Sequence, residues 1–158
     1  MKNRRGIRET TLQALYAYQA GNEDREHVIS SIIKPKVSDD KEGLRFAEKL
    51  FLNTLQTSDI ADAEIEKHIK NWEIDRLAII DRLVLRMAIS EFIHFDDIPP
   101  KVTINEAIEI AKRFSTSKSG RFVNGILDAV LESLSAENRL TKSGRGLLNQ
   151  TQDQQKSQ

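Results

Sequence analysis

The residues best suited to chemistry in this sequence are two groups of basic side chains. The first group lies at the N-terminus, opposed there only by Glu9: Lys2, Arg4, Arg5 and Arg8. The second lies in a stretch, residues 110–121, that has no acidic residue: Lys112, Arg113, Lys118 and Arg121. The net charge is +0, but two such groups can still focus a positive field on one face. Because lysine and arginine contact phosphates, this pattern predicts a nucleic-acid-binding surface.

Three aromatic residues lie close in sequence to the basic groups, namely Tyr16, Phe114 and Phe122. Unpaired bases of single-stranded RNA stack on such flat side chains. Packing in the core is the alternative for Phe114 and Phe122, since aromatic residues at helical spacing usually serve that purpose. Tyr16 borders the apolar face of its helix, so this position leaves both base stacking and core packing open for it.

The side chains needed for catalysis or for metal binding are not arranged in any familiar pattern. The chain has no cysteine, and none of its 3 histidines has a second histidine at the i+3 or i+4 spacing of a helical metal site. A glycine-rich phosphate loop is also absent. We therefore predict a protein that is not an enzyme, with no cofactor and no metal.

Helices must position the basic groups, because apolar residues recur at helical spacing and strand-like alternation is nearly absent. The first helix is predicted from Arg4 to Ala20, and the second ends before Pro35. Apolar residues go most of the way round the segment from Leu77 to Ile93, which predicts a helix buried on several sides. The sequence therefore indicates an all-α protein.

Two further predictions concern the C-terminal half. Thr103 and Glu106 have the spacing of a capping box, which predicts a helix beginning there. Gly125 lies inside the last predicted helix, which indicates close approach of another helix backbone. The chain has no secretory signal and no apolar run of the roughly 18 residues that a membrane span needs, so we predict a cytoplasmic protein.

Three segments of the chain resemble the NusB family. They are RRGIRETTLQALYAYQ at residues 4–19, NWEIDRLAIIDRLVLRMAISE at residues 71–91, and PKVTINEAIEIAKRFSTSKSGRFVNGILD at residues 100–128. The matching order and spacing extend over residues 2–134. The resemblance implies an all-helical fold of two small bundles packed together, about seven helices in total. The N-terminal bundle would span about residues 1–72 and the C-terminal bundle about 73–134, followed by a disordered polar tail over residues 135–158.

The resemblance also implies a function in transcription antitermination. Members of the family bind boxA, a single-stranded element of ribosomal RNA leader transcripts, together with NusE, a small-subunit ribosomal protein, in an RNA polymerase antitermination complex. It implies RNA contacts by Arg4, Arg5, Arg8 and Tyr16 and a contact between Asp81 and NusE. With both basic groups included, the candidate RNA-binding residues are Lys2, Arg4, Arg5, Arg8, Tyr16, Lys112, Lys118, Arg121 and Phe122.

Two alternatives accompany this interpretation. A helical protein-interaction adaptor without specific RNA binding would not depend on the basic residues. A NusB-like domain also precedes a ribosomal RNA cytosine methyltransferase, but that enzyme needs a cysteine nucleophile, which this chain lacks. A homodimer is left open. The favoured hypothesis predicts that both basic groups lie in a single groove for RNA.

Overall fold

The computed structural model describes residues 3–21, 23–69 and 74–147, and in these ranges the chain contains helices and no strand. Its helices are α1 (Arg4–Ala20), α2 (Arg25–Val28, Ile29–Ile33 and Lys34–Val37 without a break), α3 (Lys41–Gln56), α4 (Ser58–Glu66), α5 (Ile79–His94), α6 (Pro100–Phe114) and α7 (Ser119–Ala136). Short 3-10 turns lie at Ile74–Arg76 and Gly144–Leu147. The predicted all-α class with about seven helices is confirmed.

Helix α5 lies at the centre of the molecule and packs against α1, α3, α4, α6 and α7. Its side chains Leu85, Met87, Ile89 and Phe92 are almost completely buried, as the apolar pattern of this segment predicts. Helix α1 packs mainly on α2 and α3, and α6 packs on α7. The proposed boundary between two bundles, near residue 72, lies outside the described residues, so that division stays a prediction.

The prediction that Pro35 ends the second helix is wrong. The helix continues to Val37, with Pro35 in the first turn of its last α-helical segment. The preceding residues Ile29–Ile33 form a π-helical segment, whose hydrogen bonds span one residue more than those of an α-helix. Proline lacks an N–H and its ring clashes with the carbonyl four residues earlier, so this wider turn accommodates it.

The predicted capping box at Thr103 and Glu106 is also wrong. Helix α6 begins at Pro100 instead. Proline is tolerated in the first turn of a helix because the N–H groups there have no partner within the helix. Thr103 is buried and donates a hydrogen bond to Glu91 of α5, 3.1 Å from Oγ1 to Oε1. Glu106 binds Arg5 of α1. Both side chains therefore connect helices and do not cap their own.

Disorder is predicted from residue 135, but the structure differs over residues 135–147. Helix α7 continues to Ala136, its last residue. Asn138, two residues later, has a left-handed φ of 55°, which is common just past a helix end. Residues 137–147, here called the C-terminal strap, fold back onto the end of α5. Residues 148–158 lie outside the described ranges, so disorder there stays a prediction.

Polar contacts fasten the C-terminal strap. Lys142 Nζ donates hydrogen bonds to the backbone oxygens of Phe95, at 2.7 Å, and Glu91, at 3.1 Å. These carbonyls lie at the C-terminal end of α5, where helices leave acceptors without intrahelical partners. Ser143 N donates to Asp96 O at 3.0 Å. Burial lowers the pKa of the Lys142 amine to about 8, since desolvation disfavours its charged form.

Candidate nucleic-acid interface

The first turn of α1 holds the N-terminal arginines in fixed positions. Asn3 caps the helix, and its side-chain oxygen accepts a hydrogen bond from Gly6 N at 2.7 Å. Arg4 is exposed, and its guanidinium lies 4.1 Å from the centre of the Phe46 ring of α3. A guanidinium on an aromatic face keeps its N–H groups directed outward in its own plane, where they can meet phosphate oxygens. Lys2 lies outside the described residues.

Arg5 faces α6. Its Nε and Nη2 donate to the two carboxylate oxygens of Glu106 at 2.7 Å and 3.1 Å. The hydrogen bond from Arg5 lowers the pKa of the Glu106 carboxyl, and the same contact raises the pKa of Arg5. Half of the Arg5 side chain stays exposed, at 50%, so it can still reach an RNA phosphate.

Arg8 does not lie on the surface, contrary to its predicted role as an RNA contact. It is 3% exposed and forms a bidentate pair with Glu91 of α5, with both N–O distances at 2.8 Å. The physical reason is its place on α1, one turn before Leu12 on the side of the helix that packs into the core. A buried carboxylate there neutralises a charge that would otherwise be very costly to bury.

A groove of about 660 Å³ lies at this end of the molecule, and we call it the arginine groove. Its charged lining residues come from α1, α6, the loop between α5 and α6, and the C-terminal strap: Arg4, Arg5, Arg8, Glu106, Asp97 and Arg145. The sequence gives no signal for Arg145, because the strap that carries it has no apolar periodicity.

The contact between α1 and α6 continues away from the arginine groove. Glu9 of α1 accepts hydrogen bonds from Arg113 of α6 at 3.0 Å and 3.1 Å. Tyr16 follows Arg5 by three helical turns, about 16 Å along the axis, and lies on the same side of α1. It is 47% exposed, one of the few large hydrophobic side chains in the described ranges with so much open surface. Arg5, Arg113 and Tyr16 therefore follow one side of the α1–α6 contact.

The second basic group lies around the turn between α6 and α7. Lys112, Lys118 and Arg121 are exposed, whereas Phe122 is half-buried and packs partly on the core. The stem of Lys112 lies over Gly120, where a Cβ atom would come within 2.9 Å of Lys112 Cγ. Because Gly120 has no side chain, the first turn of α7 can lie directly beneath the stem of Lys112.

A second groove of about 840 Å³, here called the Asp81 groove, is lined by Lys118 and Arg121 of this group. Lys118, Arg121 and Phe122 line it together with Asp81 from the first turn of α5. Asp81 is 8% exposed, and its Oδ1 is buried without a hydrogen-bond partner in the described ranges. The positive end of the α5 dipole favours a carboxylate at this position.

Gly125 also lines the Asp81 groove, and no atom lies within 4 Å of the place where its Cβ would be. The expected close approach of another helix backbone is therefore absent. The glycine leaves room in the groove instead.

Within the described residues, the two basic groups do not share a single groove, which corrects the prediction from sequence. The arginine groove and the Asp81 groove have no lining residue in common. Helix α6 connects them, since Glu106 lines the first and Thr116, just past the helix end, lines the second. From Glu106 to Phe114 the helix rises about 12 Å, a distance that a short extended nucleic-acid strand can cover.

We also searched the described part of the chain for a metal site and for a membrane-spanning helix. No group of three or more His, Asp and Glu side chains is placed to hold a metal ion there. None of the helices described is both long and apolar enough to cross a bilayer.

Comparisons with known proteins give one consistent family. A model of the NusB family matches residues 5–132. A transcription antitermination protein NusB of Salinibacter ruber is 48% identical over 148 residues, 94% of this chain and 92% of that protein. The solved structure of a T. maritima NusB has a TM-score of 0.76 and 36% identity, and the match covers 83% of this chain and 92% of that one.

A further solved structure is described as antitermination factors NusB and NusE in complex with dsRNA. Its matching chain has a TM-score of 0.74 and 28% identity, covering 82% of this chain and 96% of that one.

Proposed function

Because the chain belongs to the NusB family, a family of transcription antitermination proteins, we propose that it binds boxA RNA of ribosomal RNA leaders together with NusE. It thereby acts in the RNA polymerase antitermination complex, in the cytoplasm, by binding and without catalysis. The observation that carries the proposal is the alignment of Arg5 and Tyr16 on one exposed side of α1, with Arg4 next to Arg5 at the arginine groove. An adaptor without an RNA role is not favoured, since a similar chain occurs in a complex with NusE and RNA.

In this proposal, two kinds of contact bind the RNA: charged contacts to phosphates and stacking on a base. Arg4 and Arg5 hold phosphates at the arginine groove, while Tyr16 offers its ring to an unpaired base. Lys112, Lys118 and Arg121 continue the positive surface past the end of α6. The RNA in the solved complex is double-stranded. The choice of a single-stranded target rests on the exposed ring of Tyr16 and on the family resemblance.

The protein side of the proposal is the Asp81 groove. Its walls include apolar side chains such as Leu77 and Ile126, and Oδ1 of the buried Asp81 carboxylate has no hydrogen-bond partner among the residues that the structure describes. A partner that inserts an arginine or lysine would satisfy that carboxylate and cover the apolar walls at the same time. We propose that NusE binds here. Lys118 and Arg121 lie at the same groove, so RNA and NusE would meet beside them.

The RNA-binding surface is tested by changing Arg4 and Arg5 together to glutamine. We expect the Kd for boxA RNA to rise roughly tenfold, which is about 0.7 kcal/mol for each lost contact. The plot of log Kd against log salt concentration should become flatter by about 1.4, since a single strand contributes about 0.7 per phosphate contact. Fluorescence anisotropy over a salt series, with and without NusE, measures both quantities.

The matched control is Arg25→Gln. Arg25 is an exposed arginine that lines a different cavity beside Gln19, about 20 Å along α1 from Arg5. It should leave the affinity and the salt slope unchanged. The proposal fails if the unaltered protein with NusE binds single-stranded boxA no better than a scrambled strand or a duplex of the same sequence.

A further inference from the structure

We infer that Arg145, on the C-terminal strap, is a further phosphate contact of the RNA-binding surface. This inference rests on the proposed function and extends it beyond residues 5–132, the part matched by the family. Arg145 is exposed and lines the arginine groove together with Arg4 and Arg5. The strap therefore adds a cation, from the far end of the sequence, to the surface formed by the first turn of α1.

Arg145 determines the sign of the net charge on the residues that line the arginine groove. Arg5 is paired with Glu106, and Arg8 is paired with the buried Glu91. In the described ranges neither Arg4 nor Arg145 forms an ion pair, and Asp97 is the acid that remains. Among the described residues that line the groove, the charges of Arg4 and Asp97 would nearly cancel without Arg145. With Arg145, these lining residues have a net positive charge that attracts phosphate.

The strap also holds Arg145 in place. Gly146 is buried against Asp96, and a Cβ atom at Gly146 would lie only 2.0 Å from Asp96 O. Ser143 N binds the same oxygen at 3.0 Å, and Lys142 binds the end of α5. Arg145 lies between these anchors, next to the loop that supplies Asp97. Its backbone is thus positioned before RNA arrives, which reduces the entropy lost on binding.

Arg145→Gln tests the inference with boxA RNA as the probe. We expect a Kd about three- to fivefold higher and a salt slope flatter by about 0.7, as for one lost phosphate contact. Arg145→Lys keeps the charge and should retain most of the affinity. Arg25→Gln is again the matched control, since it removes the same charge at a distant exposed site.

Gly146→Ala tests whether the strap positions Arg145. The added methyl group cannot coexist with Asp96 O at 2.0 Å, so the strap must move away from α5. We expect the same loss of affinity as for Arg145→Gln, and no further loss when both changes are combined. Thermal unfolding checks that α1 to α7 remain folded. Where Gly146→Ala fails to fold, the comparison of Arg145→Gln with Arg145→Lys decides.

The outcomes separate this inference from the proposed function. Selective boxA binding that Arg145→Gln leaves unchanged overturns the inference alone. Equal affinity losses for Arg145→Gln in the unaltered and the Gly146→Ala backgrounds overturn the positioning role of the strap. If the unaltered protein shows no selective binding, the proposed function and the inference both fail.

Discussion

Replacing Glu91 with glutamine is expected to lower the free energy of unfolding by about 3 to 5 kcal/mol, the usual effect of breaking a buried ion pair. The side chains of Arg8 and Glu91 are only 4% and 2% exposed, and both N–O distances are 2.8 Å. Glutamine has nearly the same shape but no charge. Arg8 would therefore remain buried as a cation without a counter-charge, and Thr103 would lose a charged acceptor.

Chemical denaturation of the variants measures this effect. The double variant Arg8→Met and Glu91→Leu should recover most of the lost stability, because replacing a whole buried pair by apolar residues is often nearly neutral. Arg5→Gln, which breaks an exposed pair on the same helix, should cost no more than about 1 kcal/mol. A loss below about 1 kcal/mol for Glu91→Gln would contradict a structural role for the buried pair.

The same double variant decides what Arg8 does for RNA. If Arg8 acts only by fixing α1 against α5, the folded double variant should bind boxA RNA as tightly as the unaltered protein. A fall in affinity like that of the Arg4 and Arg5 variants would instead show that Arg8 reaches the RNA.

Changing Asp81 to asparagine is expected to weaken NusE binding by about 30-fold or more. Truncating one member of a buried charge pair at an interface costs about 2 kcal/mol or more, which corresponds to that factor. The free protein should lose no stability, because the change removes a buried charge that has no hydrogen-bond partner at Oδ1 in the described ranges. The affinity for NusE should therefore fall without a loss of stability, which separates partner binding from folding.

Isothermal titration with purified NusE gives the affinity, and chemical denaturation gives the stability. Asp97→Asn is the matched control, since Asp97 is an exposed acid at the arginine groove and should not affect NusE. Unchanged NusE affinity for Asp81→Asn would remove the Asp81 groove as the partner site.

The helices were predictable because their signal is local. Apolar residues at helical spacing predict α1 and the buried α5 within a few residues of their observed ends. The exposure of Tyr16 also agrees with its place at the border of an apolar face. These features depend on residues a few positions apart, which is the range that periodicity covers.

The roles of individual charged residues were not predictable, because they depend on distant partners. Arg8 and Arg5 belong to one basic group, yet their environments differ. Arg8 is buried in an ion pair with Glu91, whereas Arg5 is half exposed in its ion pair with Glu106. The strap is fastened by Lys142 to carbonyl groups of α5, and a hydropathy pattern contains no trace of such a contact. Pro35 stays helical because a π-helical segment precedes it, an adjustment that residue preferences do not reveal.

We propose that RNA binds along the exposed side of α1 that faces α6 and reaches Arg4 at the arginine groove. Nuclear magnetic resonance of the labelled protein, titrated with single-stranded boxA RNA, tests it most directly by mapping chemical-shift changes onto backbone amides. We expect the largest changes at Arg4, Arg5 and Tyr16, with further changes at residues 115–118. Largest changes on α2 and α4, with the amides around the arginine groove unaffected, would contradict it.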